Sequence, residues 1–451
     1  MINLDKKYVD YILGILIVLP TFYSMPHYLY ILPVLFIFIN NKYYNFHIGI
    51  SNENLFLLSS IFILSLINYY LLGYSKISSL KDYIPYFVFY IAVFLIAFNL
   101  NKNILYTILI VLSIESFFVI LERIIGINTV FINHIDFRND LYRLGDYSAR
   151  TFGLSDGINS MGIKILIAYL IYSTIINKEN FNTILLKILI LTAAYINYSR
   201  AALVAIGIFI FVEAFKDKKY LYFALFLILS ISFIYDNYNL LLVSNNIETS
   251  LYIKHLISLV IELLKISILA YIIFYILIII KRYIIDKIGL KQSVIIALLV
   301  IITYGIVKYS GKNLTKIGVS TFTKYSGRNP KDVLSYRDII YKKNILFIKK
   351  HYLFGNNSHK HKVYLKAYNT YEHAHNSFLE FASNNGIIIS ILWFLFILRN
   401  INRNNFIYLL AILILSMTQY GIFWGISLLD IIFIYYLCFY SKTNKIINKQ
   451  A

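Results

Sequence analysis

The chain has a single cysteine, Cys438. No disulfide framework and no thiolate metal site can be built within it. Charge is scarce: Asp, Glu, Lys and Arg make up 14% of the residues, against about 25% in soluble domains. Negative charge is scarcer still, with 22 Asp and Glu against 42 Lys and Arg, a formal net charge of +20. No Pro- or Gly-rich linker and no internal repeat divides the sequence. No Asp-x-Asp pair occurs, so the usual carboxylate clamp for a metal–nucleotide-sugar complex is missing, as is the phosphate-cradling P-loop pattern. Asp5-Lys6-Lys7 precedes an apolar run, but no small-residue cleavage site follows, so no cleavable signal peptide is expected.

What the chain has instead is apolar length. Hydrophobic residues make up 59% of its 451 positions, and the mean hydropathy is +0.69. A soluble protein of this composition could not cover its apolar surface. The runs are continuous, unlike the short alternating segments of a transmembrane barrel. The expected class is an all-α polytopic membrane protein with about 12–14 transmembrane helices of about 20 residues each. Candidate spans are 9–24, 27–40, 54–73, 84–100, 104–122, 159–176, 181–199, 201–215, 219–235, 256–280, 293–309, 377–398, 406–420 and 426–441. The heavy use of Ile, Asn, Lys and Tyr (42 Tyr) reads as AT-rich codon bias.

Lys and Arg in the short loops set the orientation. With Lys6 and Lys7 in the cytoplasm, the inner loops carry Lys42, Lys102, Lys178, Lys216, Lys218, Lys219, Lys281, Arg282, Lys287, Lys291, Arg399 and Arg403. The short outer loops carry Lys76, Lys81 and Lys254, and the basic C-terminus (Lys442, Lys445, Lys449) returns inside. Three regions follow: helices 1–11 over 1–309, with an external loop near 123–158; a large basic external loop over 310–376; and the last three helices with a cytoplasmic tail over 377–451. Charges within the spans are few, among them Glu115, Lys164, Lys187, Glu262 and Lys265, and Glu262 and Lys265 are spaced to pair on one helix.

The 310–376 loop gathers the titratable groups. It carries 13 Lys and Arg against 3 Asp and Glu, and five of the nine histidines. It reads either as a long loop made soluble by lysine or as an anion site at the membrane boundary. Ser335 and Asp338 are placed to cap an amphipathic helix over 336–350, closed by Lys349-Lys350 and then Gly355. That helix is expected on the outer surface, with Arg337 in its first turn, where free N–H groups and the dipole favour an anion. The plainer reading is a surface arginine. Arg200 follows Ser199 at a span end, where arginines ordinarily snorkel to the interface. Arg150 leads a small, polar stretch through Gly162 that could approach a phosphate.

His373 and His375 stand where the loop meets the span at 377–398, with Glu372 as the nearby carboxylate. Metal ligation is disfavoured, because residues two apart point to opposite sides of a helix and no cysteine is at hand. A neutral imidazole is a ready general base, and neighbouring arginines keep it neutral. A capping or interface histidine is the alternative.

His375-Asn376, nine residues and then Gly386 resembles the signature of the O-antigen ligase/polymerase superfamily, bacterial membrane enzymes that move glycans from undecaprenyl pyrophosphate. Ile389 takes the place of the family's second glycine. Tyr198-Ser199-Arg200-Ala201 is similar to the family's Ser-Arg at a span end. Ser335-Tyr336-Arg337, followed by a helix and His351-Tyr352-Leu353-Phe354-Gly355, is similar to its Ser-x-Arg helix and glycine turn. The resemblance spans about residues 140–430 in architecture.

The resemblance implies a GT-C-like fold and a metal-independent, cofactor-free inverting glycosyl transfer at the outer face of the bacterial cytoplasmic membrane. His375 would be the general base, with Asn376 and His373 in support. Arg200, Arg337 and Arg150 would hold the departing pyrophosphate. The expected partners are an undecaprenyl-pyrophosphate-linked oligosaccharide and membrane lipid, with a chain-length regulator and a flippase as further protein partners and no nucleic acid. The leading expectation is a polymerase of repeat units for O-antigen, capsule or a related polysaccharide. The alternatives are an O-antigen ligase acting on lipid A core or protein, and a lipid-linked oligosaccharide flippase.

Overall fold

Apolar runs in lipid form helices because a helix satisfies every backbone N–H and C=O within one segment. The computed structural model describes residues 5–46, 50–77, 84–125, 130, 151–176, 178–197, 199–216, 249–279, 337–365, 369–419, 421–423 and 425–440. Twelve of the fourteen candidate spans coincide with helical segments there; 219–235 and 293–309 lie outside the described residues. Among the described helices, Asn52–Leu72, Lys102–Ile125 and Ser377–Asn400 are long and apolar enough to cross a bilayer, and several shorter apolar helices accompany them. The chain is a mostly helical, membrane-associated protein. It divides into two units, residues 1–112 with 334–451, and residues 113–333.

In the first unit, α1 (Lys6–Val18) and α2 (Ile31–Ile39) pack together, and α2 also packs on α4 (Tyr90–Phe98). Helix α3 (Asn52–Leu66) is capped by the Ser51 side chain and continues as a widened turn over Ile67–Leu72. Helix α5 (Lys102–Ile125) starts here and contributes its last residues to the second unit. Buried carboxylates are satisfied, as low-dielectric surroundings require. Asp10 accepts from Tyr44 and Asn103, both at 3.2 Å. Asp430 accepts from Tyr90 (2.6 Å), Ser427 (2.7 Å) and the Phe423 N–H (2.8 Å).

The second unit packs α6 (Ile158–Ile175), α7 (Phe181–Asn197), α8 (Arg200–Lys216) and α9 (Thr249–Ile279). Its buried lysines have partners, most of them far away in sequence. Lys164 meets Glu115 at 2.6 Å. Lys187 donates to Tyr275 (2.6 Å), Tyr271 (3.2 Å) and Glu179 (3.2 Å), while Glu213 accepts from Tyr169 and Tyr271. The expected pairing of Glu262 with Lys265 lies outside the described residues, because the Glu262 side chain is not among them.

The loop after residue 336 is not wholly helical or irregular. The amphipathic helix expected over 336–350 is α10 (Arg337–Lys350); Ser335 and Tyr336 lie outside the described residues. A hairpin follows, β1 (Val363–Leu365) antiparallel to β2 (Thr370–Glu372), with Val363 opposite Glu372. It departs from the all-α expectation for a simple reason. Val363 and Leu365 alternate inward and cover Ile340 of α10, with Ile339 and Tyr341 around them. The apolar stripe of α10 therefore builds a small core, while Ile345 and Leu346 remain exposed. Helix α11 (Ser377–Asn400) packs on α3 and α10, and α12 (Phe406–Thr418) and α13 (Leu428–Ile434) complete the unit.

Candidate functional site

Helix α11 begins with a strong cap. The Asn376 side chain accepts from the N–H groups of Phe378 and Leu379, both at 3.0 Å, and donates to the Met417 carbonyl at 2.9 Å. Asn is among the best residues for this position. Ser377 holds the far side, accepting from the N–H groups of Gly421 (2.9 Å) and Ile422 (3.3 Å). The helix end is thus tied both to its own first turn and to the segment after α12.

His375 precedes the cap in the left-handed region, at φ +50°. A non-glycine residue there costs energy and is held by its surroundings. Its carbonyl accepts from the Tyr341 hydroxyl of α10 at 3.3 Å. Its Nε2 lies 3.7 Å from the Glu372 carboxylate, and the two side chains are 31% and 37% exposed. The Tyr341 bond fixes the His375 backbone, and the ring is partly open to solvent.

Two residues earlier, His373 is more enclosed. Its Nδ1 is 2.9 Å from Glu380, which also accepts from the Ala374 N–H at 3.3 Å. Glu380 is only 4% exposed. Glu372 is therefore not the only nearby carboxylate, as the sequence reading had it; Glu380 reaches back from the first turn of α11. The available signal was an acidic residue close after an Asn cap, where the helix dipole welcomes negative charge.

Further polar groups gather around Glu380. Asn385 donates to the Tyr86 hydroxyl at 3.0 Å, and the Lys360 ammonium sits 5.7 Å from the Tyr86 ring centroid. Lys360 is exposed over much of its length, but the enclosure of its ammonium lowers it to about 8; Glu380's charge opposes that shift and Lys362's charge adds to it. His361 stacks on Phe347 at 3.7 Å. Burial holds its imidazole below the ordinary value; Glu380 opposes this, and the charges of Lys76 and His351 reinforce it.

The signature glycine has a geometric reason. Helix α11 is broken at Gly386, which takes φ +77° and ψ 178°. The turn after α10 fills the break. Asn356 and Ser358 donate to the carbonyls of Ser383 and Asn384, and Ile387 donates to the Tyr352 carbonyl at 2.7 Å. A Cβ on Gly386 would meet the Leu353 carbonyl oxygen at 2.1 Å. Gly355 faces it with φ +59°, and a Cβ there would meet the Gly386 nitrogen at 2.6 Å. Asn68 of the widened turn donates to the Phe354 carbonyl and to Ser358, each at 3.0 Å, and Lys76 donates to Asn356 and Asn357. The motifs ending at Gly355 and starting at His375 are thereby welded into one site. Ile389, at the place of the second glycine, is buried.

Arg337 opens α10 in the same unit; Arg200 opens α8 in the other. Arg150 lies outside the described residues. His359 and His361 do not face a common point, since His359 stacks on Tyr69 at 3.9 Å and His361 on Phe347. Among the described residues, no three His, Cys, Asp or Glu side chains come together to hold a metal. The chain matches no protein-family model, no curated protein and no solved structure.

Proposed function

We propose that the chain polymerises undecaprenyl-pyrophosphate-linked oligosaccharide repeat units at the outer face of a bacterial cytoplasmic membrane, as a metal-independent inverting glycosyltransferase of GT-C-like fold. The observation that carries the reading is the head of α11. A strained, partly exposed His375 lies between an Asn cap and a hairpin, beside the buried Glu380. Strain of this kind concentrates at functional sites.

In the proposed reaction His375 takes the proton of the acceptor hydroxyl. The acceptor oxygen attacks the anomeric carbon from the face opposite the pyrophosphate, and the carbon–oxygen bond to the pyrophosphate breaks. By the resemblance, its charge would be received by Arg337, Arg200 and Arg150. Planar guanidinium forks suit that charge and are always protonated. Arg337, in the first turn of α10, adds its charge to the positive end of a helix dipole.

The direct test supplies lipid-linked repeat units to membranes containing the wild-type protein or His375→Ala. Long chains with the first and none with the second support the reading. Equal chain formation by both would remove His375 from the mechanism.

A further inference from the structure

Glu380 is the least exposed acid in the cluster at the head of α11, and it bonds to two consecutive residues. One carboxylate oxygen meets His373 Nδ1 at 2.9 Å, and the other accepts the Ala374 N–H at 3.3 Å. The next residue is His375, in the left-handed conformation. From the other side the His375 carbonyl is held by Tyr341, and Asn376 is pinned by its cap bonds. The strained residue is thus clamped between fixed neighbours, and Glu380 is the clamp on its N-terminal side. A buried carboxylate is costly. A plain helix cap does not need one, because Asn376 already satisfies the first-turn N–H groups of Phe378 and Leu379.

We infer that Glu380 is a positioning residue for the base, acting through His373 and the Ala374 backbone to hold His375 in its strained geometry. The inference rests on the glycosyl-transfer reading. The groups facing Glu380 are His373 before the helix, Lys360 and His361 on the segment after α10, and Tyr86 ahead of α4; Glu372 flanks His375 itself. The carboxylate is the negative member of this group closest to His373.

The test measures the kcat and KM of chain formation in membranes carrying wild-type protein, Glu380→Gln, His373→Gln and the double variant. Glu380→Gln should lower kcat on the order of 10- to 100-fold, the scale of a small misplacement of a reacting group, with KM little changed. The double variant should be no worse than Glu380→Gln, because His373 acts through its bond to Glu380. Glu380→Gln with wild-type kcat would overturn the inference and leave the polymerase reading intact. So would a raised KM with kcat unchanged, which marks lost substrate binding and not a displaced base. If Glu380→Gln does not accumulate in the membrane, His373→Gln with wild-type kcat overturns it equally. Wild-type membranes that form no chains would overturn the glycosyl-transfer reading itself, and the inference with it.

Discussion

His375 and Gly386 show how single residues define this site. Both adopt positive φ, one against its preference and one because nothing else fits. Gly386→Ala should therefore destabilise the protein by at least about 1–3 kcal/mol of backbone strain, and by more through the collision with Leu353. A melting curve in detergent reads this directly, and an unchanged midpoint would refute the close approach. Asn376→Ala removes the one oxygen that accepts both cap bonds and should cost about 1 kcal/mol, with Asn376→Asp recovering most of it. Arg337→Lys should reduce chain formation severely, because a point charge cannot replace a planar fork; full activity would remove it from the pyrophosphate site. Glu380 shows what stayed hidden at this scale. Its distance from His373 in sequence says little, because the bond depends on the chain reversing just before the cap.

Among the elements, helices were legible and their interruptions were not. Continuous apolar runs coincided with helices at the twelve candidate spans among the described residues, since hydropathy and backbone satisfaction in lipid both demand it. The break in α11 was invisible, because Gly386 sits in an otherwise helical pattern and its partner turn lies about 30 residues earlier. The hairpin at 363–372 was missed because three-residue strands carry too little alternation to stand out. Its function is to cover Ile340. Ile340→Ala should cost about 2–5 kcal/mol in the local core and raise hydrogen exchange along α10. His361 sets the pH response of the neighbouring turn. Its folded value is depressed, so the folded state binds fewer protons, and stability is complete above the unfolded value of about 6.5. It is lost as pH falls through the folded value. Amide protection factors over residues 351–361 should fall on acidification below about pH 6.5, and His361→Phe should reduce that fall.

On the scale of the whole chain, composition argued against a soluble protein and a disulfide scaffold, and the continuity of the apolar runs against a transmembrane barrel. The structure adds how a membrane protein tolerates charge. Lys164 pairs with Glu115, and Lys187 bonds Glu179 and tyrosines, inside the second unit. Glu115, Lys164 and Lys187 were visible in the sequence but their pairing was not, because partners such as Glu115 and Lys164 come from different helices. The polar cluster at the head of α11 draws on distant segments as well: Tyr86, Lys360, His373 and Glu380 meet only in the folded chain. The central claim is that this cluster elongates a lipid-linked glycan. The measurement that tests it most directly is the glycan profile of a strain lacking the protein, complemented with wild type or His375→Ala. The account predicts single repeat units on the surface acceptor without the protein, long chains restored by wild type, and none restored by His375→Ala. Full-length chains accumulating on the lipid carrier without the protein would contradict it and point to a ligase.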